Sequence, residues 1–131
     1  MEPLTIALFG EAESGDYGKV HYCQTLPDLV DKLGNPPPES RGLHLAVQSL
    51  LYEHDLFFFR VEEEGFSLRD YFEGLMLLKK ERKLIRRTAA ICLPGVADPE
   101  LLKAFTKLCD AYRQVMITTE PDLYDYLTNS I

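Results

Sequence analysis

The side chains in this chain best suited to chemistry are acidic, and they gather where apolar runs stop. Glu11 follows the run Leu4–Phe9 and its closing Gly10, and Glu62-Glu63-Glu64 follow the run Leu56–Val61. Two such carboxylates, brought together with one pKa raised by burial or repulsion, would make an acid–base pair. Ser67 and Thr119 follow apolar runs in the same way and are the hydroxyls available to position a substrate. Neither stands in G-x-S-x-G or beside a histidine, so no hydrolase triad is expected. A hard cation would need carboxylate oxygens that converge, whereas neighbours in an extended run point to opposite sides, which makes Glu62–Glu64 a solvated turn. His21, His44 and His54 lack the H-x-x-x-H spacing of a zinc site. No metal is expected, and His54 is read as a structural partner for the negative end of a helix.

The stretch GEAESGDYG after the first run has the Gly10 and Gly15 spacing of a phosphate loop, but Asp16-Tyr17 stands where Lys and Ser or Thr would have to hold phosphate and magnesium. Its glycines also miss the G-x-G-x-x-G spacing of dinucleotide binders. An ordinary mobile loop is the expectation, and no cofactor is implied.

The formal charge of −7 is distributed very unevenly. Lys79, Lys80, Arg82, Lys83, Arg86 and Arg87 enclose a single acid, Glu81, for +5, and the remaining residues sum to −12. Cations at the carboxyl end of a helix sit well against its exposed carbonyls, and six bases in nine residues also offer a docking spot for an acidic protein. The run holds no aromatic residue to stack on a base, and the net charge is repulsive to polyanions, so nucleic acid is disfavoured. There is no run of 18 uncharged apolar residues and no basic stretch ahead of the first apolar run, so no membrane span or signal segment is expected.

These residues must be positioned by a framework that the remaining pattern describes. A length of 131 residues with 46% hydrophobic content fits one domain, 1–131, with one core. Leu4–Phe9, Val20–Gln24, Leu56–Val61, Thr88–Leu93 and Val115–Thr118 read as strands. The second starts too soon after the first for a parallel crossover and belongs antiparallel or at an edge. Leu56–Val61 is apolar on both faces and is placed near the sheet centre. Thr25/Asp28, Ser67/Asp70 and Asp98-Pro99 are helix-start patterns, followed by apolar residues at helical spacing. The helix after Ser67 is expected to run to about Arg82, with Gly74 marking close packing. Asn35-Pro36-Pro37-Pro38 forces a turn. Alternating helices and strands from the second helix onward predict a three-layer α/β/α sandwich around a mainly parallel sheet of about five strands, flavodoxin-like or Rossmann-like. A response-regulator receiver is excluded: its phospho-accepting Asp and its terminal Lys are replaced by Arg60-Val61-Glu62 and Thr118-Thr119-Glu120.

Cys23, Cys92 and Cys109 are odd in number, dispersed and set in apolar surroundings, as expected of reduced core thiols in a cytoplasmic protein. Two open sheet edges and a final helix carrying Tyr124, Tyr126 and Leu127 near Ile131 point to a homodimer. For function, the lack of a nucleophile–base pair, metal spacing or completed phosphate loop favours a non-catalytic binding or regulatory module. The rival is a small enzyme or nucleotide-type ligand binder at the carboxyl ends of the strands. In that case Glu11 or Glu62 would act as acid–base and Ser67 or Thr119 would position the substrate.

Overall fold

The computed structural model describes residues 5–129. Its five strands are β1 (Thr5–Gly10), β2 (His21–Cys23), β3 (Asp55–Arg60), β4 (Thr88–Cys92) and β5 (Val115–Ile117), in the order β2-β3-β1-β4-β5. β3, β1, β4 and β5 run parallel, and β2 pairs antiparallel with β3 at the edge. The helices are α1 (Leu26–Leu33), α2 (Gly42–Leu51), α3 (Leu68–Lys80), α4 (Arg82–Arg87), α5 (Pro99–Tyr112) and α6 (Glu120–Asn129). Leu4 and Ile131 lie outside the described residues. Among those described, no helix is long and apolar enough to cross a membrane.

Alternation along the strands builds two apolar layers. Ile6, Leu8, Leu56, Phe58 and Cys92 meet residues of α1, α2 and α6, while Phe9, Phe57, Phe59 and Ile91 meet residues of α3, α4 and α5. Helices therefore cover both faces, which is the α/β/α sandwich. The central strand is β1, with all six residues buried, and the apolar run of β3 lies immediately beside it. Gly74 allows α3 to sit directly on this sheet, since a Cβ there would stand 2.3 Å from Cε2 of Phe9. The ring of Phe9 stacks on Phe59 at 4.5 Å and meets Phe105 edge-on at 5.4 Å.

Two of the helix starts are built as their spacing predicts. Thr25 accepts from the Asp28 amide at 3.2 Å while Asp28 accepts from the Gln24 amide, and Asp98 accepts from the Leu101 amide at 3.0 Å with Pro99 in the first turn. The third differs. Ser67 makes no side-chain cap to α3; its hydroxyl bonds Glu63 instead, and Asp70 accepts from the Glu62 amide at 2.8 Å. The loop before α3 folds back on itself and uses both side chains to close that turn.

The expected helix through Arg82 ends at Lys80. Glu81 is extended, with φ −97° and ψ 91°, and α4 follows as a separate element. A continuous helix from Leu68 to Arg87 would extend about 30 Å, half as long again as a strand of six residues at roughly 20 Å. The break returns the chain to the sheet, so that β4 begins at Thr88 directly after α4. Gln114 secures the junction by donating to the Ile85 and Thr88 carbonyls at 3.0 and 2.9 Å.

Candidate functional site

In a parallel sheet the carboxyl ends of β3, β1, β4 and β5 share one rim. The chain leaving β1 continues to α1 and α2 on one face, and the chain leaving β4 enters α5 on the other, so a crevice is expected outside the ends of β1 and β4. A cavity of about 370 Å³ lies there, bounded by Glu11, Glu39, Arg41, Glu64, Phe66 and Gly95. Phe66, at 72% exposure, stands at its mouth.

Glu64 is the centre of the arrangement. Its Oε2 accepts from the Glu11 amide at 2.8 Å and from the Gly42 amide at 2.9 Å, and its Oε1 accepts from the Arg41 amide at 2.8 Å. Glu11 returns the bond, accepting from the Glu64 amide at 2.9 Å. The first turn of α2 needs this help, because Arg41 at its N-cap offers no side-chain cap. Two glycines make the approach possible: a Cβ on Gly10 would stand 2.6 Å from the Gly42 Cα. Backbone amides at the start of a helix beside a β1 loop are the groups with which α/β folds hold phosphate. Here the chain's own carboxylate occupies them.

The rim is closed on the β4 side as well. Gly65, at φ 86°, lies so near the next loop that a Cβ would be 2.5 Å from the Gly95 carbonyl oxygen. The Gly65 amide donates to the hydroxyl of buried Tyr71 at 2.7 Å. Burial pushes the Tyr71 phenol well above its ordinary range, against the opposing effect of that amide.

Of the strand-end carboxylates, Glu11 and one of the three consecutive glutamates, Glu64, are brought together at the crevice, as the ligand-site alternative requires, while neither Glu62 nor Glu63 shares in their hydrogen bonds. Glu11 meets Glu64, each through the other's backbone. Glu62 is exposed and faces a second cavity of about 360 Å³ with Tyr17, Ser67 and Asp70. Ser67 bonds Glu63, and Thr119 lies away from both, accepting from the Asp122 amide at 3.3 Å to cap α6. The glycine-rich loop is tied down at several points. The Glu13 and Ser14 amides donate to the Leu33 carbonyl at 3.0 Å, Arg60 donates to the Gly15 carbonyl at 2.7 Å, and the Arg60 guanidinium lies 4.4 Å above the Tyr17 ring. Among the described residues, no group of three or more His, Cys, Asp or Glu is placed to hold a metal ion. All three cysteines are buried and unpaired, and burial pushes the Cys92 thiol up to about 12 and those of Cys23 and Cys109 up to about 11.

The basic run divides between α3 and α4. Lys79, Lys80, Arg82, Lys83 and Arg86 are exposed, and none of these five side chains has an ion pair or hydrogen bond among the described residues. Arg87 differs, donating to the Tyr22 hydroxyl at 3.0 Å with its guanidinium 5.1 Å from the Tyr22 ring, so it fastens α4 to the sheet edge. A groove of about 670 Å³ lies beside Lys79 and Lys80, lined also by Gly18, Arg69, Phe72, Glu73, Met76 and Leu77. Its apolar members follow from the sequence only in part. Phe72 belongs to the helical stripe, while Met76 and Leu77 widen the apolar face of α3 beyond what burial requires. That surplus was the available signal. Glu64 stood among the strand-end acids, but nothing in the sequence singled it out from Glu62 and Glu63, since its amide donors lie 22 to 53 residues away.

Comparison with protein-family models, with curated proteins and with solved structures finds no match.

Proposed function

We propose that this domain is a non-catalytic binding or regulatory module that docks an acidic protein through the exposed bases Lys79, Lys80, Arg82, Lys83 and Arg86. The observation that supports it best is the commitment of the reactive groups at the strand ends, exposed Glu62 apart. Glu11, Glu64, Ser67 and Thr119 each hold backbone of the fold itself, and the amides placed to receive a phosphate hold Glu64. The bases on α3 and α4 are the reverse case, charged and uncommitted, and charge complementarity of this kind steers association and selects partners. Exposed bases without an aromatic platform, on a chain of net charge −7, fit an acidic protein better than a nucleic acid.

The rival is a small enzyme or nucleotide-type binder using the crevice at Glu11 and Glu64. A thermal-shift screen with nucleotides, sugars and divalent ions separates the two, because a ligand at 100 times its dissociation constant stabilises by about 2.7 kcal/mol. No shift is expected. A shift present in the wild type and absent in Glu11→Gln would favour the rival. Self-association belongs to the same reading, with a narrower surface than the sequence implied: Leu127 is buried and Tyr126 packs on the core, leaving Leu51, Tyr52 and Tyr124 exposed together. Light scattering at high concentration should then give a mass above the 15.0 kDa of one chain, and Tyr124→Glu should restore that mass. Unpaired, buried thiols support the cytoplasm as the compartment.

A further inference from the structure

We infer that the groove along α3 receives an amphipathic helix of the acidic partner, with apolar residues on the floor and carboxylates over Lys79 and Lys80. The inference rests on the binding-module reading and gives it a partner chemistry. α3 buries Tyr71, Gly74, Leu75 and Leu78 against the sheet, and a neighbouring stripe stays available. Arg69, Phe72, Glu73, Met76 and Lys80 fall at i, i+3, i+4, i+7 and i+11, one continuous face, with the Gly18 turn as the opposite wall. That wall is kept low by Gly18, where a Cβ would stand 3.3 Å from Oε2 of Glu73.

Length, shape and charge specify the occupant. From Arg69 to Lys80 the stripe extends about 17 Å, three helical turns, which matches anchors at i, i+3 or i+4, and i+7 on a partner helix. Met76, 60% exposed, supplies an adaptable apolar surface. The charge is graded along the groove. Arg69 and Glu73 pair at 3.1 Å at one end, whereas Lys79 and Lys80 are unpaired at the other and lead to Arg82 and Lys83 on α4. The partner's acids are therefore concentrated at one end of its helix, which sets its direction. An added strand fits less well, since β2 is only three residues long and Lys32 already donates to the Tyr22 carbonyl. An anionic bilayer fits less well too, because the groove is concave and the rest of the chain carries −12.

Fluorescence anisotropy with labelled synthetic peptides of about 18 residues tests this. One peptide carries a leucine stripe and a glutamate-rich end, a second has the same composition scrambled to break the stripe, and a third replaces glutamate with lysine. The first should bind at least about tenfold more tightly than the others. It should lose roughly tenfold with Met76→Asp, and as much with Lys79→Glu plus Lys80→Glu, in variants that melt like the wild type. Equal binding of the scrambled peptide would overturn the groove while leaving charge-driven docking at the basic run. No binding of the first peptide at about 1 mM would overturn the groove as well. Retention on phosphatidylcholine–phosphatidylserine vesicles that depends on Met76 would replace the helix with a membrane. A ligand shift lost in Glu11→Gln, from the thermal-shift screen, would instead undo the binding-module reading.

Discussion

Removing the Glu64 carboxylate should loosen the joint between the ends of β1 and β3 and the start of α2. Glu64→Ala abolishes three hydrogen bonds to an ionised acceptor, at 2.8, 2.8 and 2.9 Å. Bonds to charged groups contribute about 1.5–3 kcal/mol each when buried, and a lost helix cap about 1 kcal/mol. Glu64 is half-buried, so water recovers part of what the three amides lose, and the expected cost is about 3 kcal/mol. Against a total of about 5–15 kcal/mol this is a large fraction, equivalent to roughly 10 °C in melting temperature. Glu64→Gln should lose less. Its carbonyl oxygen can serve the Glu11 and Gly42 amides, but its amide group then faces the Arg41 donor. Glu11→Ala, which removes one bond, should cost about 1 kcal/mol. Urea unfolding measures all three, with exposed Glu63→Ala as the control. Formate supplies a second readout, because it can enter the vacated cradle and should raise the melting temperature of Glu64→Ala more than that of the wild type. A cost no larger than that of Glu63→Ala, or equal formate effects on both proteins, would refute the reasoning.

Other outcomes follow from packing, titration and capping. Gly74→Ala places a methyl 2.3 Å from the Phe9 ring and should destabilise by about 1–3 kcal/mol in urea; an unchanged midpoint would mean that α3 does not rest on β1 as described. Cys23, Cys92 and Cys109 should resist iodoacetamide in the native state at mildly alkaline pH and react fully in denaturant. Because burial raises their folded pKa values, the native state holds protons that the unfolded state releases. Their contribution is complete below the ordinary thiol value of 9.0 and is lost as pH rises toward about 11 to 12, which urea midpoints between neutral and strongly alkaline pH should follow. Asp98→Ala should cost about 1 kcal/mol through the lost α5 cap, and Asp98→Asn or Asp98→Ser should restore most of it.

What was legible in the sequence depended on how far apart the partners stand. Thr25 with Asp28 and Asp98 with Leu101 are contacts within one turn, and both helix starts could be placed from spacing alone. The edge position of β2 followed from a connection too short for a crossover. Strand order is another matter. Thr5–Gly10 and Asp55–Arg60 are alike in being apolar on both faces, and only the pairing of β1 with both β3 and β4 makes β1 the centre. The break at Glu81 was hidden because the helical pattern from Leu68 continues through Ile85, and what interrupts it is the length of the sheet below. Ser67 and Asp70 have the spacing of a cap, yet the turn from Glu62 to Phe66 draws both side chains backward.

The three consecutive glutamates show most clearly how charge acquires different roles once the chain folds. In sequence they are equivalent, and an extended run would place the first and third on one side and the second on the other. In the turn that follows β3 their environments separate: Glu62 is exposed at one cavity, Glu63 holds the Ser67 hydroxyl with its backbone, and Glu64 points inward to three amides. A carboxylate is a strong acceptor wherever unpaired amides lie close, and the start of α2 supplies them. The exposed Lys79 and Lys80 in the last turn of α3 and Arg86 in that of α4 form no ion pair among the described residues. Glu11 and Glu64 are consequently part of the scaffold, while the carboxylates of Glu62 and Glu63 stay exposed, as do the bases beside the apolar groove of α3.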